Sequence, residues 1–211
     1  MMAKVCGLTR AEDVALALGA GADLVGFLHH PPSLRHCPDP ELFRLAGARA
    51  IAVVVAADPD HLLALLPTAD LRWVQPYLPA AHRAQGLARL RARGLQVLLP
   101  WPDEADQEPL EADLYLWETS SQATGLLGGS GQGHPMAFPP PGPFLLAGGL
   151  HGPLLATRLA QVPAGMRPHC CGFDAASRLE AEGAAPRKDP DRVRAFVHAA
   201  HDLPLSLRSA P

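Results

Sequence analysis

Short apolar runs recur along the chain, most of them followed by a segment with helical spacing. KVCG (4–7), DLVGFL (23–28), IAVVVAA (51–57) and LRWVQ (71–75) read as four strands. LQVLLPW (95–101), DLYLWET (113–119), PFLLAGGL (143–150) and PHCCGFD (168–174) read as four more. The third run is rich in valine and has no polar alternation, the pattern of a strand buried on both faces. In the last run Cys170 and Cys171 are adjacent, so they are expected to point to opposite faces as packing residues. Between the runs, TRAEDVALALGAG predicts a helix with Thr9 as N-cap, Glu12 at the capping-box spacing, and Gly19 and Gly21 as stops. Asp58 is placed to cap PDHLLALLP, and AAHRAQGLARLRARG (80–94) sets arginines on one side against Leu87 and Leu90 on the other. PELFRLAGA, GPLLATRLAQV and DPDRVRAFVHAAH supply further helices. The segment SSQATGLLGGSGQGHPMAFPPPG has no helical periodicity, so one outer helix is expected to be reduced or missing after the sixth strand.

Eight buried strands with helices between them predict an α/β fold with a parallel sheet, and closure gives a (β/α)8 TIM barrel. An open doubly wound sheet is the rival. At 211 residues the chain is shorter than the ~250 typical of such barrels, so a compact barrel with short loops is expected, spanning residues 1–211 as one domain. The strand C-termini and the loops after them form the active face of a barrel. Cys6, Arg35, Glu118, Gly148, Gly149 and Asp174 then all fall on that face, contributed by different strands.

Composition narrows the classes of function. The chain is 48% hydrophobic with a formal net charge of -3, and no basic surplus points to nucleic acid or an anionic membrane. No apolar run approaches the ~20 residues of a membrane helix, and the N-terminus lacks the layout of a signal peptide. Four cysteines without a Cys-x-x-Cys pair fit free thiols in a reducing cytoplasm. His29, His30, His36 and Cys37 cluster in HHPPSLRHC, but at no zinc spacing, and read as loop residues. GGSGQG lacks the Lys-Ser/Thr of a phosphate-binding P-loop. Lysine is nearly absent beside arginine, which reads as compositional bias without functional content.

KVCGLT, GADLVGF, PPSLR ending at Arg35, GGSG (128–131), LLAGGL, DAASRLE and APRKD follow one another in the order of a known family's motifs. Together they resemble the phosphoribosylanthranilate isomerase family over the whole chain. The resemblance implies a (β/α)8 barrel that converts an aminoaldose, N-(5'-phosphoribosyl)anthranilate, to an aminoketose by an Amadori rearrangement in tryptophan biosynthesis. It implies a small phosphorylated substrate, no metal or organic cofactor, and a monomer or homodimer. Cys6 stands at the family's general base, its thiol expected to be lowered by Lys4. Glu118 stands where the family has its acid, an aspartate. Lys4, Arg35, Gln75 and Asp174 are implied in substrate binding, with Arg35 steering or holding the carboxylate. Gly129, Gly131, Gly148, Gly149, Ser177 and Arg178 are implied at the phosphate.

Three segments depart from the family. Its Val-Gln-Leu-His-Gly keeps Val74 and Gln75 but loses the His-Gly pair. Its Ser-Ser-Gly becomes Ala176, Ser177 and Arg178. Its Gly-Lys becomes Gly131 and Gln132. Two alternatives to the isomerase therefore stand. One is a paralogue that binds a phosphorylated or carboxylated metabolite without turnover. The other is an isomerase of a different aminoaldose.

Overall fold

Eight parallel strands close on themselves in sequence order, β1 pairing with β2 on one side and with β8 on the other. The computed structural model describes residues 1–67, 71–105, 108–118, 135–183 and 186–203. The strands are β1 (Met2–Cys6), β2 (Leu24–His29), β3 (Ala50–Val55), β4 (Trp73–Tyr77), β5 (Gln96–Pro102), β6 (Leu114–Glu118), β7 (Phe144–Leu146) and β8 (Cys170–Ala175). The expected (β/α)8 barrel is the architecture, and the open sheet is not.

Side chains two apart on a strand share a face, and here both faces are covered. Ile51, Leu98, Leu114, Leu116, Leu145 and Ala147 form one cluster inside the barrel, with Met2, Trp73 and Cys171 packed against it. Alternate residues such as Val5, Phe27 and Trp117 join the larger outer core with helix residues such as Val14, Leu90 and Phe196. Each leucine so buried contributes ~1.5–3 kcal/mol relative to exposure. Cys170 belongs to the outer core and Cys171 lies against the inner one, as their adjacency predicts. A register shift in β8 accommodates them, because Leu145 pairs with Gly172 and passes over Cys171.

The outer layer is built from α1 (Ala11–Gly19), α2 (Pro40–Ala46), α3 (Pro59–Ala64), α4 (Ala80–Ala92), α5 (Leu155–Gln161) and α6 (Pro190–Asp202). Three of them start at an Asp-Pro pair. Asp39, Asp58 and Asp189 each accept from a backbone N–H of the first turn, and the proline that follows lacks only a donor that would be unpaired there. For α1 the expected cap is wrong. The helix starts at Ala11 behind Arg10, with no side-chain cap, so Thr9 lies one residue too early and no capping box forms. Gly21, with φ of 96°, does follow its end.

Two other boundaries differ from the sequence reading. No helix is present among the described residues between β5 and β6, so the outer layer is thinned there. The segment 119–134, where thinning was expected, lies outside the described residues. Strand β4 runs on through Pro76 to Tyr77. The β4–β5 ladder ends at Val74 opposite Val97, so the missing N–H of Pro76 breaks no bond on that side.

Asp189 accepts from the N–H groups of Asp191 and Arg192, both at 2.9 Å. Asp189→Ala should therefore cost about 1 kcal/mol in urea unfolding, whereas Thr9→Ala should stay within about 0.5 kcal/mol of the parent.

Candidate active site

Lys4 on β1 and Asp174 on β8 are register partners across the strand pair that closes the barrel. The lysine is wholly buried, and its Nζ lies 2.6 Å from Asp174 Oδ1. Burial disfavours the ammonium, but Asp174 and then Cys6 together outweigh it, and Lys4 titrates above the usual lysine range. Cys6 follows two residues later on the same face, half-buried. Its neighbour across the ladder is Gly26, where a Cβ would come within 2.7 Å of the thiol sulfur. Glycine is what leaves room for the thiol. The expectation that Lys4 lowers this thiol is only partly met. Lys4 and Lys188 pull it down, but burial raises it more and Asp174 adds to the rise, so Cys6 titrates above an ordinary cysteine.

Glu118 ends β6 and is buried. Burial pushes its carboxyl up to about 8, against the lowering effects of Tyr77 and Lys4, and Asp174 adds to the rise. The carboxyl therefore keeps its proton at neutral pH. The Tyr77 hydroxyl lies 2.9 Å from Oε1 and 3.1 Å from Oε2 of Glu118. Gln75 Nε2 donates to the same hydroxyl at 3.0 Å, and Gln75 Oε1 is buried without a partner among the described residues.

Arg35 lies over Gly7 and grips Glu180 with a fork, Nε to Oε1 at 2.6 Å and Nη2 to Oε2 at 2.8 Å. Lys188 donates to Glu180 Oε1 at 3.1 Å and to the Ala176 carbonyl at 3.0 Å. Burial alone would raise Glu180, but these cations hold it below the usual carboxylate range. A bidentate hold on a ligand carboxylate through the Nε edge of Arg35 would have to displace Glu180. The scarcity of lysine turns out to carry information. The chain has two lysines, and both are buried beside Cys6.

Gly148 and Gly149 turn the chain after β7 with φ of 95° and 66°, geometry that disfavours any residue with a Cβ. Ser177 opens the short helical turn Ser177–Leu179 after the neighbouring strand β8. Arg178 is exposed and lines a cavity of about 520 Å³ with His151, Glu182, Asp191 and Arg192. Gly129 and Gly131 lie outside the described residues. The structure thus gathers Lys4, Cys6, Gln75, Asp174 and Glu118 around the barrel mouth, with Arg35 beside Gly7. Arg178 sits against the start of α6. In the histidine loop the His29 and His36 rings meet edge-on at 5.0 Å, and the His36 Nδ1 accepts from the His30 N–H. Among the described residues no group of three or more His, Cys, Asp or Glu is placed to hold a metal ion.

Two residues of this cluster escaped the sequence reading, Tyr77 and Lys188. Tyr77 was discoverable, since it stands two residues after Gln75 and so shares its face. Pro76 between them reads as a strand breaker.

Over 93% of its length the chain is 34% identical to the N-(5'-phosphoribosyl)anthranilate isomerase of Azorhizobium caulinodans, covering 90% of that protein. The chain belongs to the phosphoribosylanthranilate isomerase family. The isomerase of Bradyrhizobium diazoefficiens is 32% identical over 95% of this chain and 93% of its own. The crystal structure of phosphoribosyl anthranilate isomerase from Thermus thermophilus superposes with a TM-score of 0.73 at 26% identity, over 94% of this chain and 98% of that one. No protein-family model matches the chain.

The raised Glu118 carboxyl makes stability depend on pH. Between about 4.5 and about 8 the unfolded chain releases a proton that the folded chain keeps, so stability falls as pH rises through that window. Glu118→Gln removes this dependence. Its advantage over the parent in urea unfolding should grow from near nothing around pH 4 to a few kcal/mol above about pH 8.

Proposed function

We propose that the protein is a phosphoribosylanthranilate isomerase that works by general acid–base catalysis with Glu118 as acid and Cys6 as base. The observation that carries this reading is that Cys6, ending β1, and Glu118, ending β6, both stand at the mouth of the barrel, with the buried Lys4–Asp174 pair beside them at 2.6 Å. In the first step the Glu118 carboxyl gives its proton to the furanose ring oxygen. The C1'–O bond breaks towards that oxygen, and the anilino nitrogen lone pair closes a C1'=N bond. In the second step the Cys6 thiolate takes the C2' proton, and the electrons of that C–H bond form C1'=C2' while the C=N pair returns to nitrogen. The resulting enolamine tautomerises to the ketone, with the hydroxyl proton lost and C1' protonated.

Burial raises both groups, which suits the acid and opposes the base. The competent pair, thiolate with carboxylic acid, has the same total charge as thiol with carboxylate, so a proton shared between them decides the active fraction. Lys4 and Lys188 favour the thiolate in that competition. Gln75 Oε1, buried and without a hydrogen-bond partner among the described residues, is read as the acceptor for a ligand hydroxyl. The phosphate is read as held by amides of the Gly148–Gly149 turn and by Ser177, as glycine leaves the backbone open to an anion there.

The test follows the fluorescence of phosphoribosylanthranilate generated in situ. The purified protein should deplete it, and Cys6→Ser and Glu118→Gln should each lower kcat by 10²-fold or more. kcat/KM should rise with pH, level off near 8 as Glu118 loses its proton, and fall only above the higher titration of Cys6. Folded protein without turnover above background would overturn the assignment and favour the metabolite-binding alternative.

A further inference from the structure

Tyr77 is not among the groups the reaction above requires, yet its hydroxyl lies within hydrogen-bond distance of both oxygens of Glu118. The phenol has one proton to donate. Gln75 Nε2 donates to the phenol oxygen, which leaves that proton no better direction than the carboxyl. Gln75 is held on β4, with an exposure of only 2%. The backbone of Tyr77 is fixed as well, since its carbonyl accepts from Ala56 N–H at 3.0 Å. The chain Gln75–Tyr77–Glu118 therefore spans from β4 across to β6 over β5, inside the barrel.

We propose that Tyr77 is a positioning residue for the reaction, aiming the Glu118 carboxyl and stabilising its carboxylate after the proton has left. This rests on the reading of Glu118 as the acid. The carboxyl sits one methylene further out than an aspartate would, and an arm of that length has an extra rotatable bond. A phenol from the facing strand removes that freedom. It leaves the proton-bearing oxygen for the ligand and takes the other as its own acceptor. The remaining charged groups that face Glu118 are Asp174 on β8, which opposes ionisation, and Lys4 on β1, which favours it. Burial first, then Glu118, and then Cys6 and Asp174 disfavour ionisation of Tyr77 itself, so it stays a neutral donor.

The consequence is a defined pH signature. Without the phenol the carboxylate loses a hydrogen bond, so the carboxyl becomes a weaker acid and titrates higher. In Tyr77→Phe the Glu118 limb of kcat/KM, the break near 8 where the rise levels off, should move up by about one unit. The deficit against the parent should be ~10-fold at pH 7 and shrink to ~2-fold near pH 9, where the parent has lost most of its proton. KM should change little. Fluorinated tyrosine at position 77, a stronger donor, should move the limb down instead, and needs no change of shape. The other tyrosine, Tyr115, bonds to the Leu110 carbonyl and belongs to the outer core.

The carboxyl should also be titrated directly, by carbon NMR of glutamate-labelled protein, in the parent, Tyr77→Phe and the fluorinated protein. Glu118 moving up in the first variant and down in the second, with the kinetic limbs following, supports the proposal. A Glu118 titration unmoved by both changes overturns it, whatever the activity. A titration that moves while the kinetic limb does not would instead remove Glu118 as the acid, and the catalytic role of Tyr77 with it.

Discussion

A charge cannot be left alone inside a barrel of leucines, and Lys4 is wholly buried there. Its partner must come from the strand beside it, and that strand is β8, the last to be made. The Lys4–Asp174 pair thus spans the one seam that no chain connection joins in sequence. Removing one partner of such a pair typically costs about 3–5 kcal/mol, because the other charge stays buried. The same pair sets the field in which the site operates. Asp174 holds Lys4 charged and raises both Cys6 and Glu118, while Lys4 lowers both. Closure of the fold and tuning of the candidate chemistry depend on one contact.

Around that contact the interior is divided by depth. Apolar side chains from β3, β5, β6 and β7 fill the middle of the barrel. The last inward positions of β1, β4, β6 and β8 carry Cys6, Tyr77, Glu118 and Asp174. Pulling a thiol and a carboxylic acid out of water raises both, so the barrel floor acts on the site by excluding solvent. A second network, Arg35 with Glu180 and Lys188, ties the loop after β2 to the segment after β8. It fixes two loops that border the same mouth.

Much of this was legible in the sequence, and the reason is burial on both faces. Strands covered inside and out show as unbroken apolar runs, and all eight could be placed. Of the three Asp-Pro helix starts, the cap at Asp58 was read from the sequence, and those at Asp39 and Asp189 were not. The places of Cys6 and Glu118 at the ends of β1 and β6 were readable because their motifs keep order along the chain. What stayed hidden depends on contacts between distant segments. Whether Lys4 would lower the Cys6 thiol could not be judged without the burial that opposes it. The grip of Glu180 on Arg35 joins residues 145 positions apart. Tyr77 was obscured by Pro76, whose tolerance depends on where the neighbouring ladder stops.

The two lysines have a consequence outside catalysis. Every cationic side chain elsewhere is arginine or histidine, and Lys4 and Lys188 are 0% and 1% exposed. The folded surface therefore presents no side-chain amine at all. Both such amines become reachable only when the β1–β8 seam or the segment after β8 comes apart. The molecule carries its own gauge of opening, since uptake of an amine-selective label at either lysine counts the moments when the barrel is not closed.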